Sequence, residues 1–244
     1  MSTYIIADLH LSEGNPVLVK AFECFYNRLL LNDRLIIAGD LFDFFVGLDP
    51  QDKIQQQIRS IITAAASRGI QTFFQCGNRD FLVDEKAAAY FHMRLLPEYH
   101  VVATKNGSAL LMHGDQLCLN DRNFQIFRSL SKNRLIRFLF MHLPLQTRKN
   151  IAMKLRKKSL ALSDARDRSP QIYGLAKAAA EQCLKRTKTK ILIHGHFHKF
   201  GPHQGEFGEF TYRFALGSWE KNFSYVRCDR QHLELVQKPL DKLF

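Results

Sequence analysis

The chain has 244 residues, 46% of them apolar, which suits one folded domain with room for an insertion and excludes a disordered chain. Its formal charge of +12 points to an anionic partner (nucleic acid, phosphorylated substrate or membrane surface) and says nothing about fold. No window reaches the ~18 uninterrupted apolar residues of a membrane helix, and Asp8 arrives too early for a signal peptide.

Tyr4-Ile5-Ile6-Ala7 reads as a buried strand that runs into Asp8-Leu9-His10. A helix follows over 17–31, opened by Pro16, a residue favoured at the first helical position. Residues 35–38 form a second strand, ending at Gly39-Asp40. Ile54, Ile58, Ile61 and Ile62 recur at helical spacing and predict a helix over 52–67 that Gly69 stops. Thr72-Phe73-Phe74 leads to Gly77-Asn78-Arg79-Asp80, and a short helix covers 84–91. Residues 109–112 run into His113-Gly114-Asp115, and Ile191-Leu192-Ile193 into His194-Gly195-His196-Phe197-His198. Three shorter β-like runs, 212–214, 224–227 and 233–235, complete a two-sheet core. Strands alternating with helices imply an α/β fold with partly parallel pairing.

The charge is not spread evenly. Between Arg122 and Arg168 lie 13 Lys or Arg against two acids, Asp164 and Asp167, a net +11 in 47 residues. The remainder holds 22 bases and 21 acids. This block has no strand-like run and reads as helices broken at Pro144 and Ser163. Five widely spaced cysteines without a CxxC pair read as reduced thiols of a cytoplasmic protein.

Five strand ends present Asp, His, Asp, Asn, His, His and His in chain order. In an open α/β sheet, ligands bind outside the carboxyl ends of the strands. Carboxylate and amide oxygens mixed with imidazoles suit first-row divalent ions such as Mn²⁺, Fe²⁺ or Zn²⁺. Cysteine is absent from the set, which argues against a structural zinc site. His92, His100, His142, His203 and His232 stand outside any such cluster and read as surface or packed residues.

Asp8-x-His10, Gly39-Asp40, Gly77-Asn78, His113-Gly114 and Gly195-His196-x-His198, in that order, resemble the calcineurin-like metallophosphoesterase signature. The resemblance implies one domain over 1–244, a four-layer α/β/β/α sandwich with two metal ions. By position, it implies one ion held by Asp8, His10, Asp40 and His198. Asp40, Asn78, His113 and His196 would hold the other, with Asp40 as the bridge and His194 outside the set. Asp40, His113 and Arg79 would stand at the catalytic centre. Two ions ~3.5–4 Å apart polarise phosphoryl oxygens and make water a nucleophile near neutral pH.

Many members of that family carry His after the Gly-Asn pair, where it can protonate a leaving oxygen; here the residue is Arg79. Arginine cannot act as a general acid at neutral pH, but it can clamp a phosphate and stabilise transition-state charge. That suits a leaving group which is itself a phosphate. A plain ion pair with Asp80 or Asp84 is the alternative role for Arg79.

Further stretches narrow the resemblance. Ile6-Ala7-Asp8-Leu9-His10-Leu11, Gly39-Asp40-Leu41-Phe42, Gly77-Asn78-Arg79-Asp80-Phe81-Leu82, Met112-His113-Gly114-Asp115-x-Leu117-Cys118, Leu143-Pro144-Leu145, Ile193-His194-Gly195-His196-x-His198 and Leu216-Gly217-x-Trp219 are similar to the UDP-2,3-diacylglucosamine pyrophosphatases of lipid A synthesis. That resemblance implies Mn²⁺-dependent hydrolysis to UMP and 2,3-diacylglucosamine 1-phosphate. It also implies a helical lid over 119–168 within the domain. Asn78, Arg79, Asp121, Ser159, Ser163, Arg166 and His196 match the family's substrate contacts by position. Ser163 and Arg166 depart from the Asn and Lys common there, and Asp121 could instead cap a helix.

The basic block interleaves its charges with Phe124, Phe127, Leu130, Leu135, Ile136, Phe138, Leu139, Phe140, Met141, Ile151 and Leu155. Such a mixture suits acyl chains and an anionic surface, so reversible attachment to a membrane surface is expected. Taken with this, the lipid A resemblance implies a peripheral place on the cytoplasmic face of the inner membrane of a Gram-negative bacterium. The block has no recognisable nucleic-acid motif, and no nucleic-acid partner is expected. The ligand set alone fits equally a phosphodiesterase, another nucleotide pyrophosphatase or a nuclease of the same fold.

Overall fold

The computed structural model describes residues 1–161, 175–209 and 211–244, with side chains in the first span as far as residue 158. Eleven strands appear among them. The first sheet holds β1 (Thr3–Ile6), β2 (Arg34–Ala38), β3 (Gln71–Gln75), β4 (Met93–Leu95), β10 (Asn222–Cys228) and β11 (Leu233–Pro239), in the order β11-β10-β1-β2-β3-β4. The second holds β5 (His100–Thr104), β6 (Gly107–Leu111), β7 (Ile191–His194), β8 (Gly201–Gln204) and β9 (Tyr212–Ala215), in the order β5-β6-β7-β9-β8. β1, β2, β3 and β4 run parallel, as do β6, β7 and β9.

The two-residue period of a strand decides the layers. Ile6, Leu35, Ile37 and Phe74 face α1 (Pro16–Asn27), α2 (Lys53–Ser67) and α3 (Glu85–Tyr90), and pack on Phe22, Phe25, Ile58, Ile62 and Ala88. Their neighbours Ile5, Ala7, Ile36 and Ala38 turn the other way and meet Ala109, Leu111, Ile191 and Ile193 of the second sheet. The far face of that sheet, with Leu110, Met112 and Leu192, is covered by Ala179, Ala180 and Leu184 of α7 (Lys177–Thr187). The result is the expected α/β/β/α sandwich. Strands buried on both faces explain the unbroken apolar runs in the sequence.

Asp52 and Asp84 start α2 and α3 by accepting from the backbone N–H groups of Gln55 and Ala87, at 3.0 and 2.8 Å. Each such cap stabilises a helix by about 1 kcal/mol. The first helix stops at Asn27, four residues before the sequence expectation. Arg28 closes its last turn, and Asn32, at φ 68°, redirects the chain into β2, leaving Leu30 and Leu31 exposed. β4, β5 and β8 were not anticipated. All three are sheet edges, and an edge strand needs fewer buried side chains to hold its place.

Between His113 and α7 the chain forms α4 (Arg122–Lys132), α5 (Arg134–His142) and α6 (Leu145–Ala161). The break at Pro144 lies between α5 and α6 as expected. An additional break falls at Asn133, whose Oδ1 accepts from Leu135 and Ile136 N–H at 2.9 and 3.2 Å. The expected break at Ser163 lies outside the described residues. No residue of α4 or α5 is buried, and Leu135, Phe138 and Leu139 are 65%, 58% and 58% exposed. Among the described residues no helix is long and apolar enough to cross a membrane.

Candidate metal centre

The parallel strands β1, β2, β3, β6 and β7 deliver their carboxyl ends to one place. His113, just past β6, shows how the two sheets are tied there: its Nδ1 donates to the Ala38 carbonyl of β2 at 2.9 Å. A carbonyl only accepts, so Nδ1 holds a proton and Nε2 faces the centre.

Seven side chains predicted as ligands converge in two lobes. In one, His198 Nε2 lies 3.6 Å from Asp8 Oδ1 and 3.3 Å from His10 Nε2. In the other, Asn78 Oδ1 lies 3.1 Å from His113 Nε2 and 2.8 Å from His196 Nδ1. Asp40 stands between them. Its Oδ2 is 3.8 Å from His10 Nδ1, and its Oδ1 is 3.5 Å from His113 Nε2. Ligating atoms of Asp8, His10 and His198, and of Asp8, Asp40 and His113, fall within 4.8 Å of one another.

The backbone is distorted to achieve this. Asp8, His10, Asp40, His196 and His198 have φ of 58°, 49°, 55°, 69° and 53°. Non-glycine residues rarely adopt this region, and each costs on the order of 1–3 kcal/mol unless its surroundings hold it. Asp80 supplies part of that hold. Its carboxylate accepts from the N–H groups of Leu41, Gly77 and Asp40 at 2.7, 2.8 and 3.3 Å, pinning two of the turns. Two glycines make room: a Cβ on Gly77 would overlap the Asp40 carboxylate, and one on Gly195 would overlap Asp8.

The electrostatics are those of a site built around positive charge. Burial opposes a charged ring at His113, but the Asp40, Asp8 and Asp115 carboxylates outweigh it and push His113 up to about 9. Burial holds His196 down at about 3, and the nearby His113 adds to the effect. Burial also raises Asp40. At Asp8 burial is outweighed by His198, His113 and His10, so its carboxyl stays well below the usual range. Asp8 Oδ1 and His10 Nδ1 are buried without a hydrogen-bond partner, which a polar atom tolerates poorly unless a cation or similar group completes it. Oxygen and imidazole donors without thiolate fit first-row divalent ions.

Arg79 lies at the edge of this cluster. Its backbone N–H donates to Asp40 Oδ1 at 2.9 Å, and its Nε is 3.3 Å from Asp40 Oδ2. Its Nη1 reaches Asp43 Oδ1 at 3.2 Å. The pairing with Asp80 or Asp84 is therefore not formed. Asp43 also holds Arg156 of α6, whose Nη2 is 2.9 Å away. Neither Asp43 nor Arg156 was singled out in the sequence. Asp43 ends Gly39-Asp40-Leu41-Phe42-Asp43 with no spacing that marks it, and Arg156 is one of 13 bases in its block.

The helices after His113 border the site from two sides. The Phe124 ring of α4 lies 5.3 Å from that of His196, and Phe127 meets Phe81 edge-on at 6.1 Å. Opposite, α6 reaches the body through Arg156 to Asp43, Lys149 to Asp49 at 2.6 Å, and Arg148 to the Val46 carbonyl. Asp121 caps α4, accepting from Phe124 N–H at 3.0 Å. Ser163 and Arg166, and the side chain of Ser159, lie outside what is described. His92, His100, His142, His203 and His232 take no part in the cluster, and His203 and His232 pair instead with Glu206 and Asp229.

The calcineurin-like phosphoesterase family profile matches residues 1–200. A UDP-2,3-diacylglucosamine hydrolase of Haemophilus influenzae is 39% identical over 225 residues, covering 92% of this chain and 93% of its own length. One from Tolumonas auensis is 35% identical over 244 residues, covering 99% and 98%. One from Histophilus somni is 40% identical over 235 residues, covering 96% and 99%. With this identity sustained over nearly the whole length, the chain belongs to the calcineurin-like phosphoesterases and, within them, to the family of the UDP-2,3-diacylglucosamine hydrolases.

Proposed function

We propose that this protein hydrolyses the pyrophosphate bond of UDP-2,3-diacylglucosamine to UMP and 2,3-diacylglucosamine 1-phosphate, a step toward lipid A, using two divalent ions with Mn²⁺ as first choice. The observation that carries the reading is the position of Asp40 between two ligand lobes, in a chain whose full-length relatives bear that hydrolase name. Phosphoesterase membership implies a dinuclear metal site, and the clustered side chains are its candidate ligands. In this reading Asp8, His10, Asp40 and His198 hold one ion, and Asp40, Asn78, His113 and His196 the other. Bound ions there supply positive charge for the phosphoryl oxygens and lower the pKa of water.

The chain's own groups account for the rest. Water oxygen adds to the α-phosphorus and releases a proton to solvent, the bond to the bridging oxygen breaks, and its electron pair leaves on the lipid-bearing phosphate. That leaving group needs no proton from the protein. Arg79, with its side chain only 16% exposed and held by Asp40 and Asp43, stabilises charge on the phosphoryl oxygens. Asn78 and His196 line the same place. Asp121, Ser159, Ser163 and Arg166 are the proposed contacts to the rest of the headgroup.

Residues 119–168 act as a lid in this account, which the contacts of Phe124 with His196 and Arg156 with Asp43 support. The lid's bases, with exposed Leu135, Phe138 and Leu139 between them, favour peripheral attachment to the cytoplasmic face of the inner membrane. Each base near an anionic surface contributes about 1 kcal/mol, and inserted apolar side chains add to that. The block carries no recognisable nucleic-acid motif, which favours the lipid surface over nucleic acid. Incubation with Mn²⁺ and UDP-2,3-diacylglucosamine, beside a simple alkyl phosphodiester, tests the function. UMP release with an intact diester is expected; equal cleavage of both would contradict it.

A further inference from the structure

His194, fully buried at the end of β7, has no part in the reaction described above. Its Nδ1 lies 2.8 Å from the Gly195 carbonyl oxygen. That oxygen only accepts, so Nδ1–H donates and Nε2 carries a lone pair. The group facing Nε2, at 3.3 Å, is Nη1 of Arg213 on β9, which only donates. Glu206 grips Arg213 with both oxygens, Oε2 to Nε at 2.5 Å and Oε1 to Nη2 at 3.0 Å. Each of these bonds along Glu206, Arg213, His194 and Gly195 therefore pairs a donor with an acceptor.

The chain of bonds ends on a tightly fixed peptide. Gly195 N–H donates to the His113 carbonyl at 2.8 Å, and Gly195 O also accepts from Phe197 N–H at 2.9 Å. A Cβ on Gly114 would meet Gly195 O at 2.9 Å, so the carbonyl is closed in from that side too. His196 and His198 leave this peptide at φ 69° and 53° and reach different lobes of the metal centre. A strained loop keeps such a shape only when its surroundings over-determine it. β7 and β9 are already paired through their backbones from Ile191↔Tyr212 to His194↔Ala215, so the Arg213 side chain is not needed to join them.

We propose that Glu206, Arg213 and His194 are positioning residues, which hold the Gly195 peptide and so aim His196 and His198 at the two metal positions. The proposal rests on the dinuclear reading of the site and adds to it the residues that fix its most strained loop. Outer-shell partners of metal ligands typically change metal affinity by about 10–100-fold when removed.

Equilibrium dialysis of the metal-stripped full chain against Mn²⁺, with the thermal unfolding midpoint measured alongside, tests it. Arg213→Met and His194→Ala are expected to weaken Mn²⁺ binding by about 10-fold or more. His194→Asn, whose amide N–H can replace Nδ1–H toward Gly195 O, should recover most of the loss. A role confined to sheet stability would lower the midpoint and leave Mn²⁺ binding unchanged, and that result overturns the proposal. Should Arg213→Met not fold, Glu206→Gln leaves Arg213 in place without its charged partner. A several-fold weakening supports the proposal and unchanged binding overturns it. Wild type that binds two Mn²⁺ but releases no UMP would overturn the substrate reading alone; wild type that binds no divalent ion would overturn both.

Discussion

Arg79 meets Asp40 twice, through its backbone N–H on Oδ1 at 2.9 Å and its Nε, 3.3 Å from Oδ2. The residue that follows Gly77-Asn78 is thus fixed to the carboxylate that stands between the two lobes. Its guanidinium cannot give up a proton at neutral pH, so its contribution is charge and direction. Arg79→Ala should lower turnover by about 10²–10³-fold, the range for losing a preorganised transition-state donor. Metal content by elemental analysis should stay at the wild-type level, since none of the seven proposed ligands is removed. Loss of both ions would make Arg79 a structural support of Asp40 instead.

Asp40 itself stands between the lobes, with Oδ2 3.8 Å from His10 Nδ1 and Oδ1 3.5 Å from His113 Nε2. Asp40→Ala should reduce turnover by more than ~10³-fold even with excess Mn²⁺, because phosphoryl transfer in such sites depends on both ions together. Near-normal turnover in metal-supplemented buffer would show that the two lobes do not work as a pair.

Gly77 has an ordinary backbone conformation, and its requirement is space. A methyl group there would overlap the Asp40 carboxylate and approach the Asp40 backbone N at 2.6 Å. Gly77→Ala should therefore lose metal and activity together. Thermal unfolding should reveal a folded protein, because the buried apolar contacts of β1, β2 and β3 with α1 and α2 remain. Full metal occupancy in this variant would mean the turn has slack that these distances do not show.

The exposed apolar side chains of α5 lead to a different expectation. Binding to vesicles containing anionic lipid should be strong at low salt and weaken as salt screens the bases. Phe138→Glu with Leu139→Glu should reduce binding further while leaving metal content intact. Absence of any binding at low salt in the wild type would contradict peripheral attachment. Competition by DNA for the same vesicle-bound protein would favour a general polyanion surface.

Much of this site is legible in sequence because strands buried on both faces leave apolar runs, and each run ends where polar chemistry begins. Asp8, His10, Asp40, Asn78, His113, His196 and His198 all stand just beyond such runs, and they converge in space. Edge strands β4, β5 and β8 leave no such mark. Nor do contacts made by single charged residues, such as Asp43 with Arg156 or Arg213 with Glu206 and His194. Asp80 is instructive: its sequence position suggested a partner for Arg79, yet three backbone N–H groups that no sequence pattern reveals claim its carboxylate. Charge told less than its distribution. The +12 is almost wholly the property of 47 residues, and the helices that carry most of them border the site from both sides.

The central claim is water attack on the α-phosphorus of UDP-2,3-diacylglucosamine. It is tested most directly by running the Mn²⁺-loaded reaction in ¹⁸O-labelled water and weighing both products by mass spectrometry. The account predicts one ¹⁸O in UMP and none in the 2,3-diacylglucosamine 1-phosphate. Label in the sugar phosphate, or no cleavage of this substrate at all, would contradict it.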